Sequence, residues 1–320
     1  MKTMTIETAP LAGFTDAAFR RVLIRCGAKV VWTEMVSATA LFYKSKKTLE
    51  LLKFDKHEDV KTVVQLFGKT PEHFTYAIQS GHLDAFDEIN INMGCPAPKI
   101  VKNGEGSALM KNPELARKII KACVVASEKP VSVKMRIGWS EGTPLVPEFA
   151  KMCEQAGASR IIVHGRYTSQ GYSGKSDWDT IAKVVKSVTV PVVANGDIVC
   201  RESAEACLKI TSASGLMVGR ALLGSPWKIG EIQSVSTQTV APNKSINTKE
   251  VTLPTDEIKK LIKFHIDTAR EIHTDGSFPE IKKHLLFYCS NLPDSKELKK
   301  QIATSKTFDE AIEILSLCNH

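Results

Sequence analysis

The chain has 320 residues, of which 43% are apolar and 24% are charged, and its formal net charge is +8. This composition supplies enough apolar side chain to offset the entropy cost of ordering, which excludes intrinsic disorder for most of the chain. No uncharged apolar run approaches the roughly 18 residues of a membrane-spanning helix. The N-terminal sequence MKTMTIETAPLAG lacks the apolar segment of a secretory signal. We therefore expect a globular cytoplasmic protein without a membrane partner.

The positive charge is unevenly distributed along the chain. Residues 241–320 contain 12 Lys or Arg and 12 Asp or Glu, so the whole excess lies within residues 1–240. A basic excess is typical of proteins that bind a polyanion such as a nucleic acid. Solubility alone would also explain it, and charge does not decide between these explanations.

Eight cysteines are scattered along the sequence, and no two of them form a C-x-x-C pair. The usual zinc and iron–sulfur spacings are therefore absent, and we expect no bound metal. Such cysteines are typical of reduced thiols in a cytosolic protein. Most should be small buried residues, but Cys95 lies between a glycine and a proline and needs a separate explanation.

Short runs rich in β-branched residues alternate with helical patterns over the first 218 residues. The strand runs are 5–9, 30–34, 62–66, 88–92, 131–135, 160–164, 191–195 and 215–218. The helical patterns are 16–25, 71–80, 113–127, 147–155, 177–186 and 201–209. This alternation predicts parallel strands with right-handed crossovers, and eight units in about 225 residues fit a (β/α)8 TIM barrel. A doubly wound open sheet is the alternative, although no G-x-G-x-x-G follows the first strand.

The pattern changes after the eighth strand. Residues 234–253 are rich in Ser, Thr, Asn, Pro and Val and lack a helical period, which indicates a linker. Only helical patterns follow, at 258–272, 280–289, 296–303 and 308–316. We therefore predict a barrel domain over residues 1–240 and a small all-helical domain over residues 250–320.

The active site of a (β/α)8 barrel lies at the C-terminal ends of its strands. Seven of the eight predicted strands end there in glycine or polar residues, which is more than hydrogen bonding at strand ends requires. The loops after strands seven and eight contain Gly196 and Gly219, where the backbone can approach an anion, and Arg220 adds positive charge. These two loops predict a phosphorylated substrate or cofactor.

Two further residues in this region carry possible chemistry. Lys134 interrupts an apolar strand, either because it pairs with a carboxylate such as Glu34 or because it stabilises negative charge that develops in a reaction. Cys95 lies in a long loop after strand four and is predicted to be a reactive or proton-donating thiol. A nucleophile needs a lowered pKa, whereas a general acid must keep its proton, and the sequence leaves both open.

Several motifs together resemble the tRNA-dihydrouridine synthase family. They are APLAGFTDAAFR, EM, QLFG, ININMGCPAPKIVKNGEGSALM, VKMRIGW, HGR, VVANGDI and GLMVGRALLGSPW, and they occur in the family's order between about residues 6 and 230. The helical C-terminal sequence is similar to that of the family more loosely. The resemblance implies a monomeric FMN enzyme that uses NADPH to reduce the C5–C6 bond of uracil in tRNA.

The resemblance also implies roles for individual residues. Cys95 would be the general acid that protonates uracil C5. The residues expected to hold a non-covalent FMN are Pro10, Leu11, Ala12, Gln65, Lys134, His164, Asn195, Gly196, Asp197, Gly219 and Arg220. The residues expected to bind the substrate are Asn92, Arg136 and Arg166. A second arginine that usually follows HGR in the family is missing here, since Tyr167 and Thr168 follow instead.

Other functions compete with this interpretation. A barrel flavoenzyme acting on a free pyrimidine, similar to a dihydroorotate or dihydropyrimidine dehydrogenase, would not need the helical domain or the basic excess. A dihydrouridine synthase acting on ribosomal RNA and a non-enzymatic RNA-binding protein are further alternatives. We expect the helical domain to bind tRNA and to provide part of the affinity. Its clusters Lys282-Lys283-His284 and Lys299-Lys300 either contact RNA phosphates or form a solvated helix face.

Overall fold

The computed structural model describes residues 4–53, 56–236, 253–272 and 278–317. Eight parallel strands form its centre, in the order β1-β8-β7-β6-β5-β4-β3-β2. They are β1 (Thr5–Thr8), β2 (Val30–Ser37), β3 (Lys61–Phe67), β4 (Glu88–Met93), β5 (Val131–Gly138), β6 (Arg160–Tyr167), β7 (Val192–Asn195) and β8 (Gly215–Val218). The hydroxyl of Thr8 in β1 donates to the carbonyl of Val30 in β2 at 3.4 Å, so the two ends of the sheet meet. The predicted TIM barrel is confirmed.

The helices alternate with the strands and surround them. They are α1 (Ala17–Arg25), α2 (Ala38–Phe42), α3 (Lys46–Glu50), α4 (Pro71–Gln79), α5 (Pro98–Lys102), α6 (Pro113–Ala126), α7 (Glu148–Gln155), α8 (Trp178–Ser187), α9 (Arg201–Thr211), α10 (Lys228–Gln233), α11 (Thr255–Ile272), α12 (Phe278–Tyr288), α13 (Ser295–Thr304) and α14 (Phe308–Leu317). Side chains at the N-caps fix several starts, as where Asp16 accepts from the N–H of Phe19 at 2.8 Å. No helix among these described residues is long and apolar enough to cross a membrane.

A cluster of buried charges fills the N-terminal end of the barrel. Arg160 on β6 pairs with Glu7 on β1 and, at 2.8 Å, with Glu88 on β4, and both carboxylates are fully buried. Lys61 on β3 pairs with Glu88 at 2.6 Å. The indole of Trp32 on β2 donates to Glu7 at 3.0 Å. The cluster connects five strands at the end of the barrel opposite the predicted site. Removal of one partner would leave a buried charge uncompensated, which would destabilise the fold.

The C-terminal part is helical, as predicted, and it packs directly on the barrel. Helix α11 lies against α1. The side chain of Asn291 donates to the carbonyl of Gly224, beyond β8, at 2.8 Å. The predicted linker falls mostly on residues 237–252, which lie outside the described residues, and the domain boundaries at 240 and 250 stay predictions.

Two buried histidines lie at the contact between the helical region and the barrel. Nε2 of His284 on α12 donates to the carbonyl of Phe14 at 3.1 Å, and Nδ1 of His265 on α11 lies 3.3 Å from the hydroxyl of Tyr288. Burial lowers the pKa of His265 to about 3 and that of His284 to about 4. Their remaining ring nitrogens have no hydrogen-bond partner among the described residues. Two neutral imidazoles therefore lie in the packed contact between helices α11 and α12 and the barrel.

The stability of the protein should fall as the pH decreases from about 6.5 towards 5. In the unfolded chain these imidazoles have an ordinary pKa near 6.5, so over this range the unfolded state binds protons that the folded state does not. The free energy of unfolding should decrease by about 1.4 kcal/mol per pH unit for each histidine. Urea denaturation at pH 7.5, 6.5, 5.5 and 5.0 measures this slope.

His284→Gln keeps a donor for the Phe14 carbonyl and removes one titrating group, so it should flatten the slope. His82→Gln changes an exposed histidine and serves as the matched control. Equal slopes in the wild type and in His284→Gln would contradict the assignment of a neutral, buried imidazole.

Candidate active site

Two adjoining cavities open at the C-terminal ends of the strands, as the fold predicts. Their volumes are about 180 and 510 Å³. Six residues line both cavities: Pro10, Leu11, Lys134, His164, Tyr172 and Arg220. The smaller cavity continues to Asn195, Gly196, Asp197 and Gly219, and the larger one to Ala12, Gln65, Asn92, Cys95 and Arg136. Of the residues predicted for the site, Arg166 alone lines neither cavity.

The loops after β7 and β8 form the end of the smaller cavity. Gly196 has a φ of +116°, and a Cβ there would lie 2.5 Å from Oγ of Ser176 and 2.9 Å from Cδ2 of His164. A side chain at this position would therefore be both strained and obstructed. The Arg220 side chain is half exposed and lies over the ring of Tyr172, 4.7 Å from its centroid. A narrow cleft with an arginine at its edge suits an anionic group.

Asp197 and Arg166 hold this cleft together from behind. The Asp197 carboxylate accepts from Arg166 at 2.7 Å and from the N–H of Ser176 at 2.7 Å. Arg166 is buried and also donates to the carbonyls of Ser173 and Gly174 at 3.0 and 2.7 Å. Both side chains are thus engaged with the loop between β6 and α8, and they position the walls of the cleft.

Lys134 lies at the boundary between the two cavities. Its ammonium donates to Oδ1 of Asn195 at 3.1 Å, whereas Glu34, the alternative ion-pair partner, accepts from the N–H of Gly13. Burial, together with repulsion from Arg136, lowers the pKa of Lys134 to about 7. An anionic group bound beside it would keep it protonated.

His164 is a neutral imidazole beside these cations. Burial, with repulsion from Lys134 and three arginines, lowers its pKa well below the ordinary value of 6.5. Its Nε2 lies 3.3 Å from a guanidinium nitrogen of Arg166, which can only donate. The Nε2 atom therefore accepts and Nδ1 carries the proton.

A chain of amide side chains runs along the barrel interior towards Cys95. Gln65 donates to Asn90 at 2.8 Å and accepts from Asn92 at 2.7 Å. Oδ1 of Asn92 accepts from the backbone N–H groups of Gly94 and Cys95 at 3.1 and 2.9 Å. Asn92 uses both acceptor positions of its amide on the Cys95 loop, so its side chain fixes that loop.

The Cys95 loop is closed from its other side by residues 104–107. Ser107 donates its N–H to the carbonyl of Cys95 at 3.0 Å. Gly106 has a φ of +60°, and a Cβ there would lie 2.9 Å from the same carbonyl oxygen. Gly106 thus allows close packing of this segment on the thiol-bearing residue.

The Cys95 thiol keeps its proton at neutral pH. Burial raises its pKa above the ordinary value of 9.0, and this outweighs the opposing effects of the N–H of Ala97 and of Arg136 and Lys134. This direction favours the general-acid alternative of the two that the sequence left open. A protonated thiol that lines the larger cavity fits a general acid and does not fit a thiolate nucleophile.

Arg136 supports the same loop. Its guanidinium donates to the carbonyls of Gly94, Tyr167 and Gly171 at 2.9, 2.8 and 2.8 Å. It therefore links three loops while its side chain lines the larger cavity.

The sequence-based prediction missed Met35, Tyr172, Leu223 and Phe287, which also line this cavity. Tyr172 lies six residues after the HGR motif, and nothing in the sequence signalled Phe287, which comes from α12.

Comparisons with known proteins agree with this geometry. The sequence model of the family described as dihydrouridine synthase matches residues 7–319. The chain belongs to the dihydrouridine synthase family. A probable tRNA-dihydrouridine synthase 1 of Synechocystis sp. is 36% identical over 309 residues, covering 96% of this chain and 84% of the relative. The tRNA-dihydrouridine synthase B of Vibrio vulnificus is 33% identical over 294 residues, covering 91% and 88%.

In this dihydrouridine synthase, alkylation of Cys95 by iodoacetamide should still accelerate above pH 9. The reagent attacks the thiolate, and burial holds the pKa of Cys95 above 9.0. Mass spectrometry of the Cys95 peptide over pH 7–10.5 gives the profile. Lys134→Met removes a neighbouring cation and should shift the profile further upwards. A plateau reached by pH 8 would show a thiolate and would rule out the general-acid assignment.

Proposed function

We propose that the protein reduces the C5–C6 bond of specific uridines in tRNA to 5,6-dihydrouridine, with non-covalent FMN as cofactor and NADPH as reductant. The main support is the protonated Cys95 thiol at a cavity that also contains Lys134. The names of the relatives, which refer to tRNA, support the substrate. The proposal places the protein in the cytoplasm as a monomer, in keeping with the free thiols of the seven described cysteines.

The residues of the two cavities fit FMN. The cleft at Gly196, Gly219 and Arg220 would hold its phosphate, since bulk is excluded there and the charge is positive. Pro10, Leu11 and Ala12 supply an apolar wall for the ring. Gln65 has one amide hydrogen and one lone pair left after its contacts with Asn90 and Asn92, and these could reach the pyrimidine edge of the ring.

The chain's own residues provide charge and a proton. The chemistry that reduced FMN supplies when bound is a hydride for uracil C6. Lys134 and Arg136 stabilise negative charge that develops on the uracil during this transfer. Cys95 then delivers its thiol proton to C5, so that one hydride and one proton complete the reduction. Asn92 acts on this step mainly by holding the Cys95 loop in place, and Arg136 supports the same loop in addition to its charge.

The reacting uridine must leave the RNA stack to enter the larger cavity. The lysines of the helical region are placed less favourably for RNA than their sequence clusters indicated. Lys282 donates to the carbonyl of Ser305 at 2.8 Å, Lys283 pairs with Glu280, and His284 is buried. We therefore place most of the phosphate contacts on the basic barrel.

Cys95→Ala should abolish most dihydrouridine formation and leave reduction of the flavin by NADPH intact. A general acid contributes about 10²–10⁴-fold to a rate, and its removal does not affect the earlier hydride transfer to the cofactor. The assay uses tRNA that lacks dihydrouridine and measures the modified base by mass spectrometry. Mapping the base in RNA from cells with and without the gene identifies the positions and tests ribosomal RNA as a target.

Full activity of Cys95→Ala on RNA would mean that another group or water is the acid. No dihydrouridine from the wild-type protein in any RNA would contradict the proposed function itself.

Purified protein should contain FMN that acid or heat releases, and Gly196→Ala should weaken FMN binding by about 10-fold or more. The methyl group would force a strained backbone and displace Ser176 or His164, with strain on the order of 1–3 kcal/mol. Gly142→Ala is the matched control, because Gly142 also has a positive φ but no heavy atom lies within 4 Å of its Cβ position. Fluorescence titration with FMN compares the two. Equal affinities would place the cofactor phosphate elsewhere.

A further inference from the structure

A cluster of aromatic rings with an exposed face lies at the end of the barrel where the active-site cavities open, and the proposed function does not use it. It consists of Phe42 and Tyr43 at the end of α2 and of His73 and Tyr76 on α4, and it is called the aromatic platform below. Tyr43 is 72% exposed and Phe42 is 37% exposed. We infer that the aromatic platform stacks against an unpaired base of the bound RNA. This inference rests on the proposed function.

The rings of the platform form one connected surface. Phe42 is at its centre and stacks on His73 with a centroid distance of 4.3 Å and an angle of 26°. Tyr43 and Tyr76 each meet Phe42 edge-on at 5.2 Å. The hydroxyl of Thr39 lies 3.0 Å from Nδ1 of His73 and fixes that ring. The ring of Tyr43, the outermost of the four, is thus held on a firm base and faces solvent.

The fold places the platform at the same end of the barrel as Cys95. Helix α2 begins at the residue after β2, and α4 begins shortly after β3, so both start at the C-terminal ends of strands. Met35 on β2 and Gln65 on β3 line the larger cavity. A helix of five residues is about 8 Å long, so Tyr43, which follows α2, stays close to the C-terminal end of β2.

The charge around the platform favours an RNA partner. Lys44, Lys46 and Lys47 follow Tyr43 directly, and all three are exposed. Within the part of the chain that the structure describes, none of them forms a salt bridge. Three like charges beside an aromatic surface oppose pairing with a second copy of this chain and attract phosphates.

The chemistry of the reaction supplies the ligand for the platform. When the reacting uridine enters the cavity, its neighbours lose a stacking partner. Proteins that bind such unstacked bases use aromatic side chains, because every base has a π-face. A base that flanks the reacting uridine would therefore rest on Tyr43 while the adjacent lysines hold its phosphates.

The test measures binding of dihydrouridine-free tRNA by the FMN-loaded protein, with Tyr43→Ala, Tyr43→Phe and Val125→Ala as variants. Tyr43→Ala should raise Kd by about 5- to 150-fold, the range for loss of one stacked base. Tyr43→Phe keeps the ring and should restore Kd to within about 2-fold. Val125 is 88% exposed on α6, at the opposite end of the barrel, so Val125→Ala should not change Kd.

The salt dependence of Kd separates stacking from charge. Replacing Lys44, Lys46 and Lys47 by Ala should lower the slope of log Kd against log salt by about 0.7 for each phosphate that the variant no longer binds. Tyr43→Ala should weaken binding at every salt concentration without changing that slope. Flavin reduction by NADPH reports in each variant whether the cofactor site is intact.

Unchanged affinity in Tyr43→Ala, or an equal loss in Val125→Ala, would overturn the inference. Sedimentation that shows a wild-type dimer and a Tyr43→Ala monomer would overturn it as well, since the platform would then join two copies. If the wild type forms dihydrouridine while Tyr43→Ala binds tRNA normally, only the platform is wrong. If the wild type forms no dihydrouridine in any RNA, the result contradicts the proposed function, on which this inference rests.

Discussion

The position of the Cys95 thiol depends on a chain of hydrogen bonds that crosses the barrel from its floor to its mouth. It runs from the N–H of Cys95 through the side chains of Asn92, Gln65, Asn90 and Ser132 to the carboxylate of Glu88. Glu88 can only accept, so Ser132 must donate to it, and each amide above must direct its NH2 group downwards. The carbonyl of Asn92 is thereby left to accept from the Cys95 loop. Arg160 and Lys61 balance the charge of Glu88, so an ion cluster at the inert end of the barrel orients the loop at the reactive end.

The cations at the mouth divide into two functions. Arg166 lines neither cavity and holds the loops through backbone carbonyls and Asp197. Lys134 and Arg220 face the cavities, and Arg136 does both, since it links three loops and lines the larger cavity. Burial, together with the field of these cations, keeps His164 neutral. Arg136 and Lys134 also lower the pKa of Cys95, but burial of the thiol has the larger effect. The site therefore combines a positive potential for anionic ligands with a thiol that retains its proton. The proposed general acid would need both properties, because it must donate to a carbon atom next to developing negative charge.

The sequence predicted the strands and the outer helices well, because apolar runs and helical periods are local signals. It did not predict α2, α3, α5 and α10, which have five or six residues each and are too short to show a period. The partners of the polar residues were harder to predict. Gln65 and Asn92 indicated a ligand site, but a polar residue at a strand end can equally bind its neighbour across the sheet. Which of these occurs depends on register, and the pairing of Gln65 with Asn90 follows from the alignment of β3 with β4.

The helical region is part of the active site rather than an attachment to it. Phe287 of α12 lines the larger cavity and meets Phe14, which follows β1, edge-on at 5.7 Å. His284 holds the same segment through the carbonyl of Phe14. Any shift of α12 would therefore move a wall of the larger cavity, where we propose that the uracil binds. On the proposed function, a helical region with no net charge would influence which RNA is modified through the shape of the cavity, while the basic barrel would supply most of the electrostatic attraction. The separation of charge between the two parts of the chain then reflects a division between attraction and fit.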